Sequence, residues 1–133
     1  MEENVKTLIQ KRLGKAEEDI ETTQELLKNQ RYRALANRAY YAVFAITNAI
    51  LLTKKIERVK HSGVESAFNQ FFVKTGIFPK ECGQIYKFLR KQREDSDYKF
   101  GGIEKEVAEK IISDLEIFVK KAEGYFKNSG ILK

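Results

Sequence analysis

Residues 5–30 read VKTLIQKRLGKAEEDIETTQELLKNQ. Within them Val5, Leu8 or Ile9, Leu13, Ala16, Ile20, Thr23 and Leu27 recur at alternating spacings of three and four, separated mostly by Lys, Arg, Glu, Asp and Gln. That pattern is one apolar stripe on a long helix with a charged outer face, and Asn29-Gln30 closes it. The same period continues outward along the chain. A second helix is expected over Arg31 to Lys55, where alanines at 34, 36, 39, 42, 45 and 49 let neighbouring backbones approach closely. Ser62-Gly63-Val64-Glu65 matches a capping box and predicts the start of a third helix carrying Val64, Phe68, Phe71 and Phe72. Gly76 and Pro79 interrupt the pattern. A fourth helix holds Cys82, Ile85, Tyr86, Leu89 and Arg93, and Gly101-Gly102 ends it. The last helix carries Ile103, Val107, Ile111, Leu115, Phe118, Ala122 and Phe126. No strand alternation persists and no solenoid-length repeat is visible. The expected fold class is all-α, an antiparallel bundle of four to five helices. It forms one domain over residues 1–128, with 129–133 as a flexible C-terminal tail.

Composition narrows the chemistry. The chain has 133 residues, which suits a single domain. It has one cysteine and one histidine. A lone Cys82 excludes an intramolecular disulfide and fits a reducing compartment. With a lone histidine beside it, it cannot form a thiolate/imidazole zinc site within one chain. No metal or other cofactor is expected. Residues 1–15 mix charges through their apolar positions and do not read as an export signal. The most apolar run, Ala39 to Leu52, falls short of the ~20 residues a bilayer requires. It reads as a helix buried inside the bundle, so a cytoplasmic protein with no membrane partner is expected.

The net charge of +6 is local. Residues 1–30 carry −2, 31–60 carry +6, 61–100 carry +2, and 101–133 balance. A basic middle third favours an acidic partner, although a solvated lysine-rich surface has the same composition.

Motifs first remove options. There is no Gly-rich phosphate loop, no Gly-x-Ser-x-Gly elbow, no His-Glu-x-x-His helix and no Glu-x-x-His pair. Two clusters remain. Counting from Cys82 through Tyr86 and Leu89 brings Arg93 onto the core-facing seam of its helix, inside the segment RKQREDSDY at 90–98. A buried unpaired charge is costly. Arg93 therefore pairs privately, for example with Asp97 one turn on, or sits exposed at a fraying end, or lines a cleft that takes a phosphate. Spacing alone favours the first two. In the second helix Arg38 and Tyr41 lie three apart and share a face distinct from the Ala36–Tyr40 stripe. His61 precedes the capping box, where a capping or surface role is the ordinary one and the helix N-terminus also suits phosphate.

Together these blocks resemble the HEPN family (higher eukaryotes and prokaryotes nucleotide-binding), in particular its small stand-alone members. The resemblance rests on Arg38-Ala39-Tyr40-Tyr41-Ala42-Val43-Phe44, on Lys60-His61-Ser62-Gly63-Val64 followed by Phe68 and Phe72, and on Arg93 with Asp97-Tyr98. It covers nearly the whole chain. It implies a helical homodimer with the arginine motifs of two subunits facing across one cleft. It also implies RNA or nucleotide binding and, in many members, a metal-independent ribonuclease acting as a toxin beside a nucleotidyltransferase antitoxin. The family's signature is an arginine, then four to six residues, then a histidine. Here Tyr98, Lys99 and Phe100 follow Arg93 in that window. Carried over residue by residue, Arg93 stabilises phosphate charge, Asp97 orients it and Tyr98 donates to phosphate. Arg38, Tyr41, His61, Arg90 and Lys91 extend the binding track. The proton-transfer role has no assigned residue unless the fold brings His61 to the cleft. The alternative is a non-catalytic module that pairs with a nucleotidyltransferase-type protein.

Overall fold

In a computed structural model of the chain, residues 2–98 and 102–131 are described, Tyr98 through its backbone alone. The helices are α1 (Glu3–Lys28), α2 (Tyr32–Leu52), α3 (His61–Phe68), α4 (Lys80–Tyr98) and α5 (Lys105–Asn128). A single π-helical turn, Asn69–Val73, extends α3. Among the described residues there is no strand, so the bundle is all-α as its periodicity predicts.

Central helix α2 packs against all four others and pairs most extensively with α1. Its small buried residues Ala36, Ala39, Ala42 and Ala49, with Ala16 on α1, leave no bulk to hold the helices apart. The α1–α2 turn is tight. Gln30 adopts a left-handed conformation (φ 59°), and the Arg31 amide donates to the Leu26 carbonyl at 2.8 Å, which closes the helix end in the manner usually reserved for glycine. By length and composition α2 would also suffice to cross a membrane, but 67% of its most apolar window is buried in the bundle.

Three details depart from expectation. On α1, Ile9 is buried and Leu8 is 38% exposed, and the stripe also buries Asp19, which the apolar pattern does not include. Arg38 and Lys15 hold that carboxylate at 3.3 and 3.7 Å. The capping box at 62–65 does not form. Helix α3 starts at His61 with Lys60 as its N-cap and no side-chain cap. Glu65, expected to reach back to its own helix end, instead accepts from Arg90 Nε at 2.6 Å, a charge-assisted bond that outcompetes a neutral cap. At the other terminus Ile131 is buried, and its amide donates to the Phe126 carbonyl at 3.0 Å past the left-handed Gly130. The chain is thus tied to the bundle through 131, two residues beyond the expected start of the tail.

Around α3 the core is aromatic. Phe68 meets Phe72, Phe78, Tyr86 and Phe118 with ring centroids 5.3–6.3 Å apart. The buried thiol of Cys82 is pushed up to about 11, first by burial and then by Glu81. Burial likewise raises the phenols of Tyr40 and Tyr86. All three groups hold their protons more tightly folded than unfolded, so their contribution is complete below the ordinary thiol range and is lost as pH rises. The thermal midpoint is therefore expected to fall steadily between about pH 8.5 and 11. A melting series across that range checks this, and a flat alkaline profile contradicts it.

Candidate functional site

Helix α2, the start of α3 and the middle of α4 converge on a cleft of about 510 Å³ lined by Tyr40, His61, Ser62, Glu65, Asn69 and Arg93, among others. Tyr40 is its floor. The Tyr40 side chain is 1% exposed, and its hydroxyl lies 3.1 Å from His61 Nδ1. The guanidinium carbon of Arg93 sits 5.1 Å from the Tyr40 ring centre and 5.3 Å from that of Tyr41, within the range of cation–π attraction. Burial raises the Tyr40 pKa, an effect only partly offset by Tyr86 and by the charge of Arg93, so Tyr40 stays a neutral phenol. The His61 ring packs against Phe44 at 4.2 Å. One buried phenol thus touches the imidazole with its hydroxyl and the guanidinium with its ring.

Arg93 lies on the seam that the spacing predicts, but it does not form the private ion pair. Asp97 is exposed, and among the described residues no carboxylate lies within ion-pair distance of Arg93. Its Nη2 donates to the Tyr41 hydroxyl at 3.3 Å, a long bond, and its buried Nε meets no acceptor. A buried donor left unmet costs about 1–3 kcal/mol. Arg90 is different. Burial works against its charge, yet hydrogen bonds to Glu65 and Glu94 outweigh that and raise its pKa. It bonds Glu65 at 2.6 Å and Glu94 at 3.1 Å, which pins α4 to α3 and leaves little for a ligand.

The remaining expected residues separate. Arg38 is held by Asp19 at 3.3 Å and Asn37 at 3.0 Å, with its guanidinium 5.6 Å from the Tyr41 ring. Tyr41 therefore stands between two arginines, as the shared face of 38 and 41 implies. Lys91 is exposed and does not line the cleft. Asp97 makes no contact with Arg93 among the described residues, so the orienting role is not visible in the geometry. The Tyr98 side chain and residues 99–101 lie outside the described residues.

Two features escape a reading by segments. Tyr40 belongs to the apolar stripe of α2, and nothing in its spacing signals that it joins His61 to Arg93. Lys11, Arg12 and Lys15 sit in an N-terminal segment of net negative charge, yet they line a second cleft with Arg58. Their spacing of one and four on a helix is the signal that a segment sum conceals. Among the described residues no group of three or more His, Cys, Asp or Glu is placed to hold a metal ion. What the first cleft does offer is a guanidinium with open donors, suited to phosphate oxygens, beside an imidazole, the side chain best suited to move protons near neutral pH.

A model of the HEPN domain matches residues 9–125. A Thermotoga maritima protein named UPF0332 protein is 40% identical over 111 residues, 84% of this chain and 80% of its own length. A Methanocaldococcus jannaschii protein named "Putative toxin MJ0142" is 34% identical over 134 residues, 100% of this chain and 91% of its own length. Another protein from that organism, also named as a toxin of that kind, is 33% identical over 127 residues, 96% and 95% of the two chains. A match that runs from Ile9 in α1 to Tyr125 in the last turns of α5 takes in part or all of every helix of the bundle, and the chain belongs to the HEPN domain family.

Proposed function

We propose that this HEPN protein binds RNA in the Arg93 cleft and cleaves it without a metal ion, as the toxin of a toxin–antitoxin pair. The observation that carries the reading is the Tyr40-centred arrangement, in which Arg93 and His61 flank one buried phenol. Metal-free cleavage of RNA moves the proton of a 2′-hydroxyl to a base while that oxygen attacks the adjacent phosphorus. The 5′-oxygen leaves with a proton, giving a 2′,3′-cyclic phosphate and a 5′-hydroxyl. Arg93 neutralises the charge that grows on the phosphoryl oxygens. His61 supplies the base in place of the histidine absent from the window after Arg93. With Nδ1–H donating to the Tyr40 oxygen, Nε2 keeps its lone pair for the 2′-hydroxyl, and the ring is braced by Phe44. In keeping with its family, the protein acts as a homodimer whose two Arg93 clefts face each other, and a nucleotidyltransferase-type antitoxin is its partner.

Labelled RNA incubated with the purified protein in excess chelator tests the reading. Cleavage to cyclic-phosphate ends is expected, falling about 100-fold or more in His61→Ala with part of the loss restored by added imidazole. Cleavage that His61→Ala leaves intact removes His61 from the chemistry. An inert protein that binds no RNA even in low salt returns the chain to a non-catalytic module pairing with another protein.

A further inference from the structure

Tyr41 and Phe44 have two sides. On one they meet Arg93 and His61. On the other they form a wall of the second cleft, also about 510 Å³, whose far side is Lys11, Arg12 and Lys15 of α1 and Arg58 of the α2–α3 connection. One carboxylate enters this cleft, Asp19, which is 4% exposed and already held by Arg38 and Lys15. Lys11 and Arg12 have no ion pair among the described residues, and the Arg58 guanidinium donates to the neighbouring Glu57 carbonyl at 2.9 Å and to no carboxylate. The two clefts differ in charge balance. In the Arg93 cleft Glu65 and Glu94 match Arg90, leaving Arg93 as the one unmatched guanidinium. In the second, three cations stand unmatched around an aromatic wall.

Unpaired cations beside partly exposed aromatic rings suit a single nucleic-acid strand, since phosphates and bases alternate along it. A compact small anion would use the charges and leave the rings idle. We propose that the second cleft is a substrate subsite for the nucleotides flanking the cleaved phosphate. A single RNA strand crosses the Tyr41–Phe44 ridge, its scissile phosphate on Arg93 and neighbouring phosphates on Lys11, Arg12 and Arg58. Asn48, which lines the same cleft, offers amide groups to a base edge. The inference rests on the ribonuclease reading and adds where the rest of the strand lies.

The test uses the intact protein and a fluorescent 12-nucleotide RNA, 2′-O-methylated throughout so that it cannot be cleaved, with affinity followed from low to moderate salt. Each lost phosphate contact lowers the logarithmic salt slope by about 0.7 for a single strand. The Lys11→Ala/Arg12→Ala/Arg58→Ala variant is therefore expected to show a slope shallower by about 2 and an affinity about 10–100-fold weaker in low salt. The loss should be much smaller for a dinucleotide, which reaches the Arg93 cleft alone. Lys120→Ala/Lys121→Ala, on the exposed side of α5, serves as the control and should bind as the parent does. A triple variant with the parent's slope and affinity overturns the subsite. If Arg93→Ala still abolishes cleavage in that case, the ribonuclease reading survives. A parent protein that binds neither RNA overturns both.

Discussion

Arg93→Ala is expected to reduce RNA cleavage at least about 100-fold, the scale seen when one pre-aligned donor to a developing oxyanion is removed, and to leave the fold standing. The two parts of that expectation have separate causes. Arg93 contributes weakly to stability. Its cation–π contacts with Tyr40 and Tyr41 are worth about 1 kcal/mol, and removing the side chain also removes a buried Nε that has no acceptor. These terms oppose each other, so the melting temperature should move by a few degrees at most. The chemistry has no such compensation, because Arg93 is the one guanidinium in its cleft without a carboxylate. Arg93→Lys keeps the charge but loses the planar fork that grips two oxygens, and should recover a minor part of the rate. Initial rates on labelled RNA, read beside a thermal melt, check this. Cleavage that survives Arg93→Ala unchanged removes the residue from the mechanism.

Phe68→Ala should have the largest effect on stability. The ring is fully buried and touches Phe72, Phe78, Tyr86 and Phe118, side chains drawn from the π-helical turn, the following loop, α4 and α5. Its deletion costs the transfer free energy of the ring and leaves a cavity that four other rings cannot easily fill, about 3–5 kcal/mol in total. Domains of this size have about 5–15 kcal/mol to lose, so the melting temperature should fall by about 10–20 °C. Urea denaturation gives the number directly. The effect also reaches the site, since Phe68 anchors α3, whose first residue is His61. A loss below about 1 kcal/mol would mean that α3 is held by something other than this cluster.

The sequence carries most of the fold through local period. The three-and-four spacing from Val5 to Leu27 is a property of one helix, and it orders Ile9, Ala16 and Thr23 on the buried face as expected. It cannot rank Leu8 against Ile9, because both fit the stripe and the outcome depends on which meets α2. Arg93 shows the same limit in the site. Counting turns from Cys82 puts it on the seam, but its partners are Tyr40 and Tyr41, more than 50 residues away, whereas local reasoning offered Asp97. Glu65 repeats the lesson. Its spacing from Ser62 fits a capping box, and Arg90, 25 residues on, takes it instead. His61 is the most instructive residue. In sequence it sits outside the window where the family's ribonucleases keep their histidine, and the α2–α3 connection returns it to Tyr40 and so to the same cleft as Arg93.

The most direct measurement uses the fact that the chain has a single histidine. Its imidazole nitrogens give signals in a ¹⁵N-labelled sample that need no assignment. The central claim is that Arg93 and His61 act on one phosphate in one cleft. Titrating the protein with a 2′-O-methyl dinucleotide should therefore shift the His61 imidazole signals in the parent and leave them in place in Arg93→Ala. RNA binding to the parent with no movement of the His61 signals would contradict the account.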